Sequence, residues 1–198
     1  MNVAQPIKND KDLERFKNYY LLEHPNPRNQ LLMILGLNTA LRISDILSLK
    51  WKYVYCPEEQ DWRQHIFLQE QKTGKTSEIY INENARQALK AYYLFLREQT
   101  GTDPEQEQYL FIGRGQENRP ITRVQAFRLI KNAAKSCRIP GVISCHSLRK
   151  TFGYYAWKQG IEPVLLMNIY NHSSFQNTKR YLGIEQDDRD QVFRNIRL

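Results

Sequence analysis

The chain has 198 residues, 41% hydrophobic and 25% charged, enough for one domain with a real hydrophobic core and unlike a disordered or fibrous composition. No apolar run approaches the roughly 18–20 residues that cross a bilayer, and the start MNVAQPIKNDKDLERF lacks the apolar stretch of a secretory signal, so no membrane partner and a cytoplasmic location are expected. The net charge of +8 and a pI near 9.4 put nucleic acid first among partners, although the same excess would also keep a small protein soluble.

In chain order, NDKDLERFKNYYLLEH predicts a first helix with Asn9 or Asp10 as its cap, ended by PNPRN. RNQLLMILGLNTA is nearly all apolar and reads as a buried second helix, and RISDILSLKW as an amphipathic third. Two β-prone runs, 65–70 and 77–81, flank a polar turn at Gly74 and read as a hairpin, with a further strand near 53–56. Helices are expected over 83–99, 122–137, 146–159, 162–170 and 174–181. EQDDRDQVFRNIRL suggests a terminal helix whose Val192, Phe193 and Ile196 need something to pack against. The expected architecture is mainly α with a small antiparallel β-sheet, an α+β fold in a single domain. Cys56, Cys137 and Cys145 are odd in number and lack paired spacing, so they read as small apolar side chains, with no metal site and no disulfide framework.

On the helix after RPIT, Val124, Phe127, Ile130 and Ala134 form an apolar stripe beside a basic one of Arg128, Lys131 and Lys135. Such a helix touches both a core and a phosphate backbone, or is simply a cationic solvated face. Chemistry on a phosphodiester needs cations for the nonbridging oxygens, a nucleophile, and an acid for the leaving oxygen. Arg42, in NTALRISDILSL, follows a buried helix and opens another, so rigid elements hold its guanidinium, and it could equally pair with Asp45 one turn on. His146 and Arg149, in SCHSLRKTF, project from one helix face. Lys72 lies at the hairpin tip, from which an ammonium can reach into a groove or stay solvated. His172 and Tyr181 stand nine positions apart in YNHSSFQNTKRYLGI, the tyrosine preceded by Lys179 and Arg180.

Together, TALRISDILSLKW, QKTGKTSEIYI, CHSLRKTFG and NHSSFQNTKRYLGI resemble the signature regions of the tyrosine recombinases, also called the phage integrase family, over roughly residues 25–185. The resemblance implies that family's catalytic-domain fold, a DNA breaking-rejoining enzyme fold. It further implies a site-specific recombinase that works through a covalent 3′-phosphotyrosine and needs neither ATP nor metal nor any other cofactor. Position by position, Arg42 and Arg149 would clamp the scissile phosphate, and Lys72 would protonate the departing 5′ oxygen. His146 would take or relay the tyrosine proton, His172 would donate to a nonbridging oxygen, and Tyr181 would be the nucleophile. Asp45 would orient Arg42. Contacts to double-stranded DNA are expected from Lys75, Arg123, Gln125, Arg128, Lys131, Lys150, Lys179 and Arg180.

The same resemblance implies a homotetramer on DNA, with a monomer conceivable off it, and a nucleoid-associated place in a bacterial, phage or mobile-element setting. The tail, residues 182–198, is then a candidate for packing on a neighbouring protomer, with Glu185, Asp187, Asp188 and Asp190 facing away from the phosphate. Two departures stand out. The family often has Leu-Gly-His where this chain has Tyr170-Asn171-His172, and asparagine is best able to replace glycine at positive φ. Most relatives also carry an N-terminal helical core-binding domain, whereas only about 25 residues precede the matching region here; a compact recombinase and the catalytic part of a longer integrase both fit. Type IB topoisomerase-like relaxation and a catalytically silent DNA-binding protein are the competing readings.

Overall fold

A computed structural model of the chain describes residues 4–113, 115 and 117–196, and the side chains of all of these but 185, 186, 188 and 191. Helix α1 (Asp10–Asn18) is capped by Asn9, whose side chain accepts from the Asp12 N–H at 3.0 Å, and runs into a π-helical turn, Tyr19–Glu23. Helix α2 (Pro27–Asn38) starts on an Asn26 cap with proline at its first position. Helix α3 is short, Ile43–Leu47, where RISDILSLKW predicted a longer one. It stops because the backbone after it pairs elsewhere: Trp51 N donates to Gln108 O and Leu110 N to Leu49 O.

Strand β1 (Tyr55–Cys56) pairs antiparallel with β2 (Asp61–Trp62), and β3 (His65–Gln69) with β4 (Thr76–Tyr80). The expected third strand therefore does not join the hairpin. It folds back on its own short partner, giving two ribbons instead of one sheet, and the Tyr55 and Trp62 rings pack with Tyr93 at 5.1 and 5.7 Å. Helices α4 (Glu83–Thr100), α5 (Arg123–Ser136), α6 (Cys145–Lys158), α7 (Pro163–Tyr170), α8 (Phe175–Leu182) and α9 (Glu185–Asn195) complete the chain. None of the described helices is long and apolar enough to cross a membrane.

Helix α2, apolar almost all round, lies between two packed halves. Leu31, Leu32 and Leu35 meet Trp51, Leu89, Tyr92 and Phe111 on one side, and Met33 meets Phe16, Ile130 and Leu148 on the other. A third, smaller cluster joins Ala40, Leu166, Tyr170, Leu182 and Ile184, attaching α7 and α8 to the rest. In α5 the buried stripe is Ala126, Ile130, Ala133 and Ala134, so Val124 and Phe127, expected inside, are 58% and 39% exposed. The Thr122–Gln125 capping box sets where that helix begins, and small alanines make the face that approaches the core.

Two backbone features set how α6, α7, α8 and the α2–α3 turn come together. Gly153 on α6 sits so close to α7 and α8 that a Cβ there would meet the Tyr170 hydroxyl and lie 2.6 Å from Leu182 Cδ2. Ala40, in the turn between α2 and α3, has φ +54°, a left-handed conformation that costs an L-residue about 1–2 kcal/mol. At the other end, Ile184 is buried and Lys8 donates to Asp187 Oδ2 at 2.6 Å and to Gly183 O at 2.9 Å, so the start of α9 is held by its own chain. Further along, Val192, Phe193 and Ile196 are 55%, 79% and 58% exposed. The expectation that the acidic residues of the tail face away from the phosphate lies, for the side chains of Glu185 and Asp188, outside the described residues.

Replacing Gly153 with alanine is expected to destabilise the protein by about 1–3 kcal/mol, through displacement of α7 and α8, as a lower urea midpoint. Ala40→Gly, by contrast, relieves the left-handed alanine and is expected to stabilise by about 0.5–1 kcal/mol after the entropy of the glycine is subtracted. The same urea titration reads both.

Candidate active site

An open cleft of about 430 Å³ lies where the α2–α3 turn, the β3–β4 hairpin tip and the starts of α5 and α6 converge, and Arg42, Lys72, Arg123, His146 and Arg149 line it. Arg149 organises it from beneath. Only 5% exposed, its guanidinium donates through Nη1 to the Ala40 carbonyl and through Nη2 to the Ile169 carbonyl at 3.5 Å, and lies over the Tyr170 ring at 4.7 Å. The strained turn at Ala40 thus presents a carbonyl to a buried cation. Burial is the main influence on Arg149 and lowers its pKa, yet an arginine keeps its charge in proteins.

Arg42 is the N-cap residue of α3, with extended backbone, and its Nη1 donates to Glu70 Oε2 in an ion pair whose side chains are 18% and 10% exposed. Glu70 also accepts from Thr73 Oγ1 at 3.0 Å and Ser77 Oγ at 2.8 Å. Burial opposes the charged carboxylate, but the hydrogen bonds from Ser77, Thr73 and Arg42 outweigh it and hold the Glu70 pKa below the usual range. Sequence reasoning missed this residue, although a signal existed: Ile66, Leu68 and Glu70 share one face at period two, and a carboxylate on an inward face needs a cation. Asp45, expected to orient Arg42, serves another group. It is fully buried, and its Oδ1 accepts the Gln71 N–H at 3.0 Å, so it anchors the base of the hairpin while Glu70 holds the arginine.

Lys72 stands exposed at the hairpin tip. His146 is exposed on the first turn of α6; partial desolvation and then the charges of Lys150, Arg149, Lys72 and Arg42 hold its pKa below the ordinary imidazole value. His172 follows Asn171, which takes the left-handed C-cap position of α7 (φ +55°, ψ +47°) as expected of an asparagine there. Lys75 donates to Asn171 Oδ1, joining the hairpin to that turn. The His172 Nδ1 lies 3.1 Å from Thr178 Oγ1, and its ring packs against Tyr170 at 5.6 Å and edge-on against Tyr181 at 5.3 Å. Its pKa is also lowered, by burial first and then by Arg149 and Arg42.

Tyr181, on α8, is half-buried beside Arg149. Burial raises its phenol pKa, while the charge and hydrogen bonding of Arg149, and the charge of Arg42, pull the other way. The structure therefore gathers all six predicted groups: four line the cleft, and His172 and Tyr181 adjoin Arg149 from the α7–α8 side.

The expected DNA contacts separate into two sets. Arg123 lines the cleft, and Arg128, Lys131 and Arg180 are exposed, with Lys131 over the Phe127 ring at 5.8 Å. Gln125 is exposed, but its Oε1 accepts the Thr122 N–H at 2.7 Å in the cap. Lys179 lies against the Phe175 ring at 5.3 Å, and Lys75 is held by Asn171. Lys150 corrects the expectation: it is only 6% exposed, because α6 is enclosed from Ser147 to Thr151, and its ammonium lies 4.9 Å from the centroid of the Tyr181 ring.

The profile of the phage integrase family matches residues 11–187. The probable integrase/recombinase YoeC of Bacillus subtilis is 37% identical over 187 residues, 94% of this chain and 93% of that protein. The crystal structure of XerA recombinase superposes with a TM-score of 0.73 at 20% identity, over 99% of this chain and 68% of XerA. XerH site-specific recombinase bound to palindromic difH substrate gives 0.70 at 18% identity, over 91% of this chain and 50% of XerH. With a profile match over most of its length and a relative aligned nearly end to end, this chain belongs to the phage integrase family.

Proposed function

We propose that the chain is a site-specific recombinase that breaks and rejoins double-stranded DNA through a covalent 3′-phosphotyrosine. The observation that carries this reading is the meeting of Arg42, Arg149, His172 and Tyr181, with Lys72 and His146 on the same cleft. Two guanidiniums offer the planar forks that suit two nonbridging phosphate oxygens. Phosphate arriving there takes over part of the role that Glu70 plays for Arg42. Tyr181 attacks phosphorus, its proton passes to the neutral His146, and the departing 5′ oxygen takes a proton from Lys72. A phenol of pKa about 10 needs cations near it to ionise, and Arg149 and Arg42 supply them.

Because the phosphodiester energy is kept in the tyrosine ester, rejoining requires neither ATP nor a metal in this scheme. DNA contact is favoured by Arg123 at the cleft and by Arg128, Lys131 and Arg180 outside it, all on the exposed surface. XerH bound to its difH substrate, a neighbour of the same fold, supports a DNA partner, and the place of action is then the nucleoid. The single catalytic domain would assemble as a tetramer on two duplexes. The exposed Val192 and Phe193 of α9 and Ile196 just after it support packing of the tail on a neighbouring protomer, which monomeric topoisomerase-like relaxation does not require.

A pool of nicked duplexes with a randomised segment, incubated with the protein and run on a denaturing gel, is expected to yield a covalent adduct. Tyr181→Phe should abolish it, and an undiminished adduct from that variant would remove the assignment. A silent DNA-binding protein would shift the same duplexes on a native gel and give no adduct.

The two histidines also fix the sign of a pH effect. Their folded pKa values lie below the unfolded value of about 6.5, so the unfolded chain binds more protons as pH falls. Their contribution is complete above pH of about 6.5 and is lost on acidification through it. Urea midpoints of the DNA-free protein should fall between neutral and mildly acid pH, and less steeply in a His146→Asn, His172→Asn double variant.

A further inference from the structure

Lys150 has a place in the site that the six groups above leave unused. Leu148, Arg149, Lys150 and Thr151 are all buried in α6, so the lysine is not an open phosphate contact. Among the described residues, no carboxylate lies within ion-pair distance of its ammonium, and burial lowers its pKa. A largely enclosed lysine side chain without a counter-ion carries a desolvation cost, and an apolar side chain of the same volume would fill the space without that cost. What the ammonium does face is the Tyr181 ring, at 4.9 Å from the centroid. The attraction of a cation for an aromatic face grows when the phenol ionises and the ring becomes electron-rich, so it is stronger in the reacting state than at rest.

We propose that Lys150 is a positioning residue for the nucleophile, its ammonium holding the Tyr181 ring in place and favouring the phenolate. The inference rests on the reading of Tyr181 as the attacking group. Tyr181 is faced by Arg149 and Lys150 from α6, Tyr170 from α7, His172 from the following turn and Arg42 from the α2–α3 turn. Lys150 itself neighbours His146 one turn earlier on α6. The facing groups are thus cations, imidazoles and a neutral phenol, and removing Lys150 leaves two arginines in place.

The test measures the rate of adduct formation against pH with the full chain on the nicked-duplex pool, for the unaltered protein, Tyr181→Phe, Lys150→Met and Lys150→Arg. Native gels give the affinity for the same DNA, and thermal melts check folding, with Lys150→Gln replacing the methionine variant if that one does not fold. Lys150→Met is expected to slow the adduct about tenfold at neutral pH, recover as pH rises and bind DNA with unchanged affinity, while Lys150→Arg keeps most of the rate. A methionine variant with the unaltered pH profile overturns the proposal. So does a rate loss matched by weaker binding at every pH, which would make Lys150 an ordinary backbone contact. If the unaltered protein forms an adduct that Tyr181→Phe also forms, or none at all, the nucleophile reading itself falls and this inference with it.

Discussion

The buried guanidinium of Arg149 ties together segments far apart in the chain. Its bonds to the carbonyls of Ala40 and Ile169 reach 109 and 20 residues away, and its face lies on the Tyr170 ring. Through these contacts α6 is fixed to the α2–α3 turn, where Arg42 begins a helix, and to the end of α7, where His172 follows. Tyr170 closes the loop by donating from its hydroxyl to the Arg149 carbonyl at 2.6 Å. A charge so deeply placed is tolerated because carbonyls and an aromatic face surround it. Its remaining field reaches Tyr181, His172 and His146.

A second anchor holds the hairpin that carries Lys72. Two buried carboxylates meet its base: Glu70 pairs with Arg42 and accepts from Thr73 and Ser77, while Asp45 accepts the Gln71 N–H. The tip beyond them is exposed, so an anchored base carries Lys72 out toward the cleft. Lys75, bonded to Asn171, links the same hairpin to the turn before His172. The hairpin, α6 and the α7–α8 corner are therefore joined around the cleft by polar contacts, while the apolar clusters either side of α2 hold the scaffold.

Close backbone approach makes this arrangement possible. Gly153 lets α7 and α8 sit against α6, one turn beyond Arg149, and brings Leu182, the neighbour of Tyr181, into contact. Any side chain at that point would push α8, and Tyr181 with it, outward. The tail continues from this corner with an anchored start and an exposed apolar stretch, so one end of α9 belongs to this fold and the other offers a surface.

The residues themselves determined the helices, the hairpin and the six side chains that meet around the cleft. Periodicity of 3.6 or 2 is local, and the chemistry of Arg, His, Lys and Tyr at those spacings carried the resemblance across most of the chain. The left-handed Asn171 was legible for the same reason, since few other residues accept that backbone. Only the tertiary structure decided that α3 ends after five residues, that β1 turns back on β2, that Glu70 and not Asp45 holds Arg42, and that Lys150 lies inward against Tyr181. Each of those depends on a partner distant in sequence: the strand-like exchange of residues 49–52 with 106–110, the packing around Tyr93, the inward face of the hairpin, and the enclosure of α6. A local pattern shows which way a side chain points on its own element, but what it meets there is set by long-range packing.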